Sequence, residues 1–225
     1  EQTDIDLHHL DDMQRSEFIG LDMIKTTPQS FAVGVTTVKG REVECLATVG
    51  QVDKSFENVQ LYIDGPTKCA IGTASTKRLS NVGAWPNWYL ALQEMIFAHP
   101  EADAYLIFQD DCNLVHELGE YLSATWPRNA SVVSMFCPEC YADKGPGWSD
   151  VSTHGRRLAG AVALGFTREA ARAFITDLVV SRYRFEPFKD HRGLSGDGRK
   201  HIDAVVGDFC KRTYRGLFVH WPSLV

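Results

Sequence analysis

The sequence predicts an α/β sandwich, with a mostly parallel central sheet flanked by helices. Three observations predict it. Short apolar runs rich in β-branched residues recur, as at 31–37 and 104–108, and such runs suit buried strands. Longer stretches with apolar residues at helical spacing alternate with them. The connections are short and carry Gly, Pro and Asp turn signals, which favours strand–helix–strand units.

Taken in order, residues 1–28 are polar and irregular, with a short helix expected before Pro28. They read as an N-terminal extension, and residues 29–225 as the main domain. Phe31-Ala32-Val33-Gly34-Val35-Thr36-Thr37 is the first strand, and Gly40–Gln51 a helix. Val59–Ile63 is a second strand, stopped by Asp64-Gly65-Pro66. Asn87–His99 is a helix halted by Pro100, whose ring and missing N–H end such segments. Ala104–Phe108 is the next strand, Leu118–Ala124 a helix and Ser131–Phe136 a strand. Arg157–Gly165 reads as a strand. Thr167 then caps a helix running through about Val180, its hydroxyl free to accept a first-turn amide. His201–Tyr214 is the last helix and Leu217–His220 the last strand.

Composition narrows the function. The 225 residues are 44% hydrophobic, enough for a real core and against wholesale disorder. The formal net charge of -6 argues against broad nucleic-acid binding, which needs many Lys and Arg. A nucleotide diphosphate would need a bridging cation here. No apolar run approaches the ~18–20 residues that cross a bilayer, and no signal-peptide pattern is visible. The chain begins at Glu1 and is expected to be a fragment or a processed form. Cysteines at 45, 69, 112, 137, 140 and 210 are too sparse for a disulfide scaffold.

In a mostly parallel sheet, ligands sit beyond the carboxyl ends of the strands, near a switch point. That singles out the residues following each strand. Asp110 and Asp111 close the run Ala104-Tyr105-Leu106-Ile107-Phe108-Gln109. Adjacent carboxylates there repel, desolvation adds to the cost, and a hard divalent cation resolves it. The competing reading is that one caps the next segment and the other faces solvent. Asp203 follows the polar stretch 186–200 and is either a base for an attacking hydroxyl or a helix N-terminal Asp. Asp64 either accepts from a nucleobase N–H or makes the turn with Gly65. Asn87 either hydrogen-bonds a donor or caps its helix. Trp148 either stacks on a sugar or pins its loop. Arg156 and Arg157 either approach phosphates or are solvated. Cys137-Pro138-Glu139-Cys140 lacks the second ligand pair that zinc needs and reads as a local disulfide or two thiols.

Together these segments resemble the GT-A fold glycosyltransferases, of the inverting, galactosyltransferase-like kind. Tyr105-Leu106-Ile107-Phe108-Gln109-Asp110-Asp111 resembles their Asp-x-Asp region. Val33-Gly34-Val35-Thr36-Thr37 and Leu61-Tyr62-Ile63-Asp64-Gly65 resemble their nucleotide-binding strands. Gly160-Ala161-Val162-Ala163-Leu164-Gly165 resembles their donor-sugar segment, and Ile202-Asp203-Ala204-Val205-Val206-Gly207 their Glu-Asp-Val-x-Val-Gly motif. Pro222-Ser223-Leu224 resembles a segment near their C-terminus. The match runs in order over roughly residues 31–225.

The resemblance implies a GT-A-like, Rossmann-type sandwich and a metal-dependent glycosyltransferase. It implies a UDP-sugar donor, Mn²⁺ or Mg²⁺, and a glycan or small-molecule acceptor. Asp111 would be the main metal ligand, and Asp110 would touch the ribose or the metal's water shell. Thr36, Thr37, Asp64 and Asn87 would serve the nucleotide side, and Gly160 and Ala161 would lie under the sugar. Asp203 would be the base of an inverting displacement. The motif here is Gln-Asp-Asp, and Ile202 stands where Glu is frequent. Many members carry a metal-binding His just after the Pro-Ser-Leu segment; the expectation here is that this His lies beyond the fragment, that His220 substitutes, or that the metal site is incomplete. Two other readings stand beside this one. A nucleotidyltransferase of similar architecture would use a basic Gly loop, here Val38-Lys39-Gly40-Arg41. A silent glycan-binding domain would keep the fold without turnover.

Overall fold

The run from Ala104 to Phe108 shows how the sheet is buried on both sides. Tyr105 and Ile107 join one apolar cluster, while Ala104, Leu106 and Phe108 join another. All five are fully buried. A strand covered on both faces reads as a continuous apolar run rather than an alternating one, which is why this segment carries no polar residue before Gln109.

The structure is a computed structural model that describes residues 27–67, 74–138, 145–152, 158–182 and 202–225. Its elements are β1 (Phe31–Val38), α1 (Glu42–Ser55), β2 (Gln60–Asp64), β3 (Ser75–Lys77), α2 (Ala84–Ala98), β4 (Ala104–Gln109), α3 (Leu118–Thr125), β5 (Ala130–Ser134), β6 (Gly147–Asp150), β7 (Ala163–Thr167), α4 (Arg168–Thr176), α5 (Leu178–Arg182), α6 (Ile202–Arg212) and β8 (Gly216–Trp221).

The strands form one eight-stranded sheet in the order β3-β2-β1-β4-β7-β5-β8-β6. β7 runs antiparallel to both neighbours, β4 and β5, and β6 antiparallel to β8, so the other strands all point one way. This is the mostly parallel α/β sheet the sequence predicts. Residues of α2, α4 and α6 pack in the cluster on one face, and those of α1 and α3 in the cluster on the other. On the first face Trp85, Trp88, Phe166, Phe174 and Phe209 meet ring to ring at 5.0–6.2 Å.

Some sequence expectations change. The strand expected at 157–165 begins only at Ala163, because Gly160 takes a positive φ of 83° that ends extended structure. The helix expected from Thr167 to about Val180 is two helices. Thr167 does cap α4, accepting from Ala170 N. Asp177 then interrupts it and accepts the amides of Val179 and Val180, capping α5. Neither β3 nor β6 was expected, since each is a short edge strand without an apolar run. Of the expected extension, residues 1–26 lie outside the described residues.

Candidate functional site

The sheet order creates the crevice. From β1 the chain moves outward through β2 to β3, then returns to β4 on the other side of β1. The carboxyl ends of β1 and β4 therefore diverge at a switch point, where ligands bind in such sheets. A cleft of about 300 Å³ opens there, and its walls include Thr36, Thr37, Arg41, Asp64, Asn87 and Asp110. A larger hollow of about 750 Å³ lies at the amino end of β1, between Ser30, Phe56 and Gly119. It holds none of the residues singled out from the sequence.

Asp110 and Asp111 occupy the turn after β4 and have unequal surroundings. Asp110 is 4% exposed. Thr37 donates to its Oδ2 at 2.6 Å, and Nη2 of Arg41 lies 3.1 Å from its Oδ1. Burial pushes its carboxyl above the usual range, although Thr37 and Arg41 both pull the other way. The Asp111 side chain is half exposed, with Oδ2 3.0 Å from the same Arg41 nitrogen. Thr48 shapes the turn. Its hydroxyl sits 3.0 Å from the Asp110 carbonyl and accepts the Cys112 amide at 3.1 Å.

Two carboxylate oxygens thus converge on one cationic nitrogen. That geometry suits a divalent cation in the same position, since both are hard oxygen donors. Among the described residues no group of three or more His, Cys, Asp or Glu converges as a metal cage. His220 is bonded within the protein. Its Nδ1 bonds the Pro222 carbonyl at 2.7 Å and its Nε2 the Tyr121 hydroxyl at 2.5 Å, so both ring nitrogens are already engaged.

The other predicted residues fall into three groups. Asp64 and Asn87 line the cleft but are bonded to the protein. Asp64 accepts the amides of Val82 and Gly83 at 2.6 and 2.9 Å, which fixes the segment leading into α2. Asn87 accepts from Arg78 Nε at 3.0 Å and donates to the Tyr62 carbonyl at 3.1 Å. It lies within the first turn of α2, whose cap position is Gly83, so it is not the cap. Thr36 donates to the Phe108 carbonyl at 3.3 Å, tying β1 to β4.

Gly160 and Asp203, 43 residues apart, are brought together. Asp203 Oδ2 accepts the Gly160 amide at 2.9 Å, and Oδ1 accepts the Ala204 amide at 2.9 Å. Asp203 therefore does stabilise the start of α6, and each oxygen keeps a lone pair. A Cβ on Gly160 would meet the Phe136 ring at 2.6 Å, so the backbone there needs glycine. Ala161 is 8% exposed beside it. Ile202, next to Asp203, lines the cleft.

Trp148 pins its segment to the protein. It sits on β6 against the His220 ring, centroids 4.8 Å apart, and donates Nε1 to Thr125 at 3.1 Å. Cys137 is described and buried. Cys140, Arg156, Arg157 and the stretch 186–200 lie outside the described residues.

What the sequence does not show is the pairing of Arg41 with Asp110 and Asp111. Arg41 closes the stretch Thr36–Arg41 after the first strand and belongs to the basic loop Val38–Arg41, but was given no role of its own. The signal was its position, directly after a strand at the predicted ligand edge.

No protein-family model matches the chain, and no curated protein matches it. Among solved structures, it is similar to the apo structure of the bifunctional glycosyltransferase WbbM, at 10% identity and a TM-score of 0.36. The likeness covers 86% of this chain and 46% of that one, so the chain spans less than half of its length.

Proposed function

We propose that this chain moves a sugar from a nucleotide donor, a UDP-sugar, to a hydroxyl of a glycan or small-molecule acceptor. The observation that carries the reading is the convergence of Asp110 Oδ1 and Asp111 Oδ2 on one cationic nitrogen at the β1/β4 switch point. Asp111 and Asp110 would hold Mn²⁺ or Mg²⁺, which would supply charge neutralisation for a departing diphosphate. The ordered resemblance to GT-A enzymes supports the same assignment.

In this reading Thr36, Thr37, Asp64 and Asn87 form the nucleotide side of the cleft. Thr37 holds the Asp110 carboxylate in place. Gly160 and Ala161 lie under the sugar. Asp203 is the base. It takes the proton of the acceptor hydroxyl as that oxygen bonds to the anomeric carbon. The bond from that carbon to the diphosphate oxygen breaks, and the nucleoside diphosphate leaves with the electron pair. The anomeric configuration inverts.

A donor-hydrolysis and transfer screen across nucleotide sugars in Mn²⁺ tests this. Release of a nucleoside diphosphate that stops on chelation is expected, and Asp203→Asn is expected to lose transfer while keeping donor binding. No release from any donor would overturn the reading, and a fully active Asp203→Asn enzyme would exclude Asp203 as the base.

A further inference from the structure

We infer that Arg41 is a phosphate-binding residue that also competes for the cation site at Asp110 and Asp111. Its guanidinium and a divalent ion compete for Asp110 and Asp111, and with an ion on the pair the guanidinium serves a phosphate of the nucleotide. This inference rests on the donor reading above.

The geometry supports a change of partner. Only one guanidinium nitrogen, Nη2, faces the two carboxylates. Nε and Nη1 have no partner among the described residues. A guanidinium forks naturally onto two oxygens of one phosphate, and here most of its donors are unspent. The carboxylate pair carries two negative charges against this single positive one, so a net negative charge persists and continues to attract a cation. The Asp111 side chain is 50% exposed and that of Arg41 41%, so an ion can reach the pair and the arginine can leave it. A divalent ion and a guanidinium cannot both take the same two oxygens without strong repulsion.

A phosphate is the fitting second partner. Arg41 is the N-cap residue of α1, and no side chain caps that helix. The free amides of a helix start attract anions. Gly40, with φ of 94°, turns the chain from β1 so that Arg41 and this helix start stand together at the cleft. The two oxygens of Asp110 are divided, Oδ2 accepting from Thr37 and Oδ1 facing Arg41, so a change of cation at Oδ1 does not require the Thr37 bond to break.

The test is isothermal titration of the full chain with MnCl₂ alone, and with UDP in saturating Mn²⁺, for wild type, Arg41→Ala and Arg41→Lys. Arg41→Ala is expected to bind Mn²⁺ alone about tenfold or more tightly, because a competing cation is gone. It is expected to bind UDP in Mn²⁺ about tenfold or more weakly, for loss of charge-assisted bonds. Arg41→Lys is expected to fall between on both. A merely structural residue would not move the two affinities in opposite directions. Unchanged affinities, or two losses together, would overturn the inference while wild-type Mn²⁺-dependent UDP binding left the donor reading standing. A wild type that binds neither Mn²⁺ nor UDP would overturn both.

Discussion

The Thr37 hydroxyl donates a 2.6 Å hydrogen bond to Asp110, joining β1 to the turn after β4 across 73 residues of sequence. Both residues are buried. The bond therefore orients the carboxylate and stabilises its charge where water does little of either. Thr37→Val keeps the shape and removes the donor. It is expected to destabilise the chain by about 1–3 kcal/mol, read as a lower urea midpoint, with Thr37→Ser close to wild type. An unchanged midpoint in Thr37→Val would contradict this.

Gly160 has two independent reasons to be glycine. Its φ of 83° is left-handed, and a Cβ would meet the Phe136 ring at 2.6 Å. Gly160→Ala is expected to cost about 2 kcal/mol or more and to pull the Gly160 amide away from Asp203. Denaturant unfolding measures the first effect. A wild-type midpoint would show that the segment relaxes freely.

His220 gives the fold a pH dependence. Burial holds its ring below the usual range, with the Pro222 carbonyl working against this. That carbonyl can only accept, so Nδ1 carries the hydrogen and Nε2 accepts from Tyr121. A depressed folded value means the unfolded chain takes up the proton first, so the contribution is complete above about pH 6.5 and lost as the pH falls. The stability gap between wild type and His220→Gln is expected to narrow from pH 7.5 to pH 5. A constant gap would contradict it.

Asp177 works the same way in a lower window. Burial alone would raise its carboxyl, but the Arg212 hydrogen bonds and charge and the amides of Val180 and Val179 outweigh it and hold it below the usual range. Arg212 forks onto both oxygens at 3.0 and 2.9 Å, linking α6 to the α4–α5 junction. Asp177→Asn is expected to lose about 1–3 kcal/mol at pH 7. The deficit is expected to shrink as pH falls below about 3.9, as followed by chemical denaturation. A deficit that does not shrink would point to packing instead of charge.

Much of this was legible in the sequence, and the limits are physical. The buried strands announced themselves through apolar runs, because a sheet covered on both faces excludes polar residues. Thr167 announced its cap by type and position. The position of Asp110 and Asp111 at the carboxyl edge of the sheet was legible because they end such a run. β3 and β6 were not, since an edge strand is defined by its neighbour and not by its own residues. The pairing of Gly160 with Asp203 and the engagement of both His220 nitrogens are long-range or conformational facts with no local signature. The part Arg41 plays was hidden, although it lay in the stretch after the first strand, because only the fold brings it against two carboxylates.

Calorimetric titration of UDP into the wild-type chain, with and without Mn²⁺, and into Asp111→Ala tests the central claim most directly. Wild type is expected to bind UDP far more tightly in Mn²⁺. Asp111→Ala, altered at a half-exposed side chain, is expected to keep its fold and lose that enhancement. Equal wild-type affinity with and without Mn²⁺, or full enhancement in Asp111→Ala, would contradict the cation site at Asp110 and Asp111.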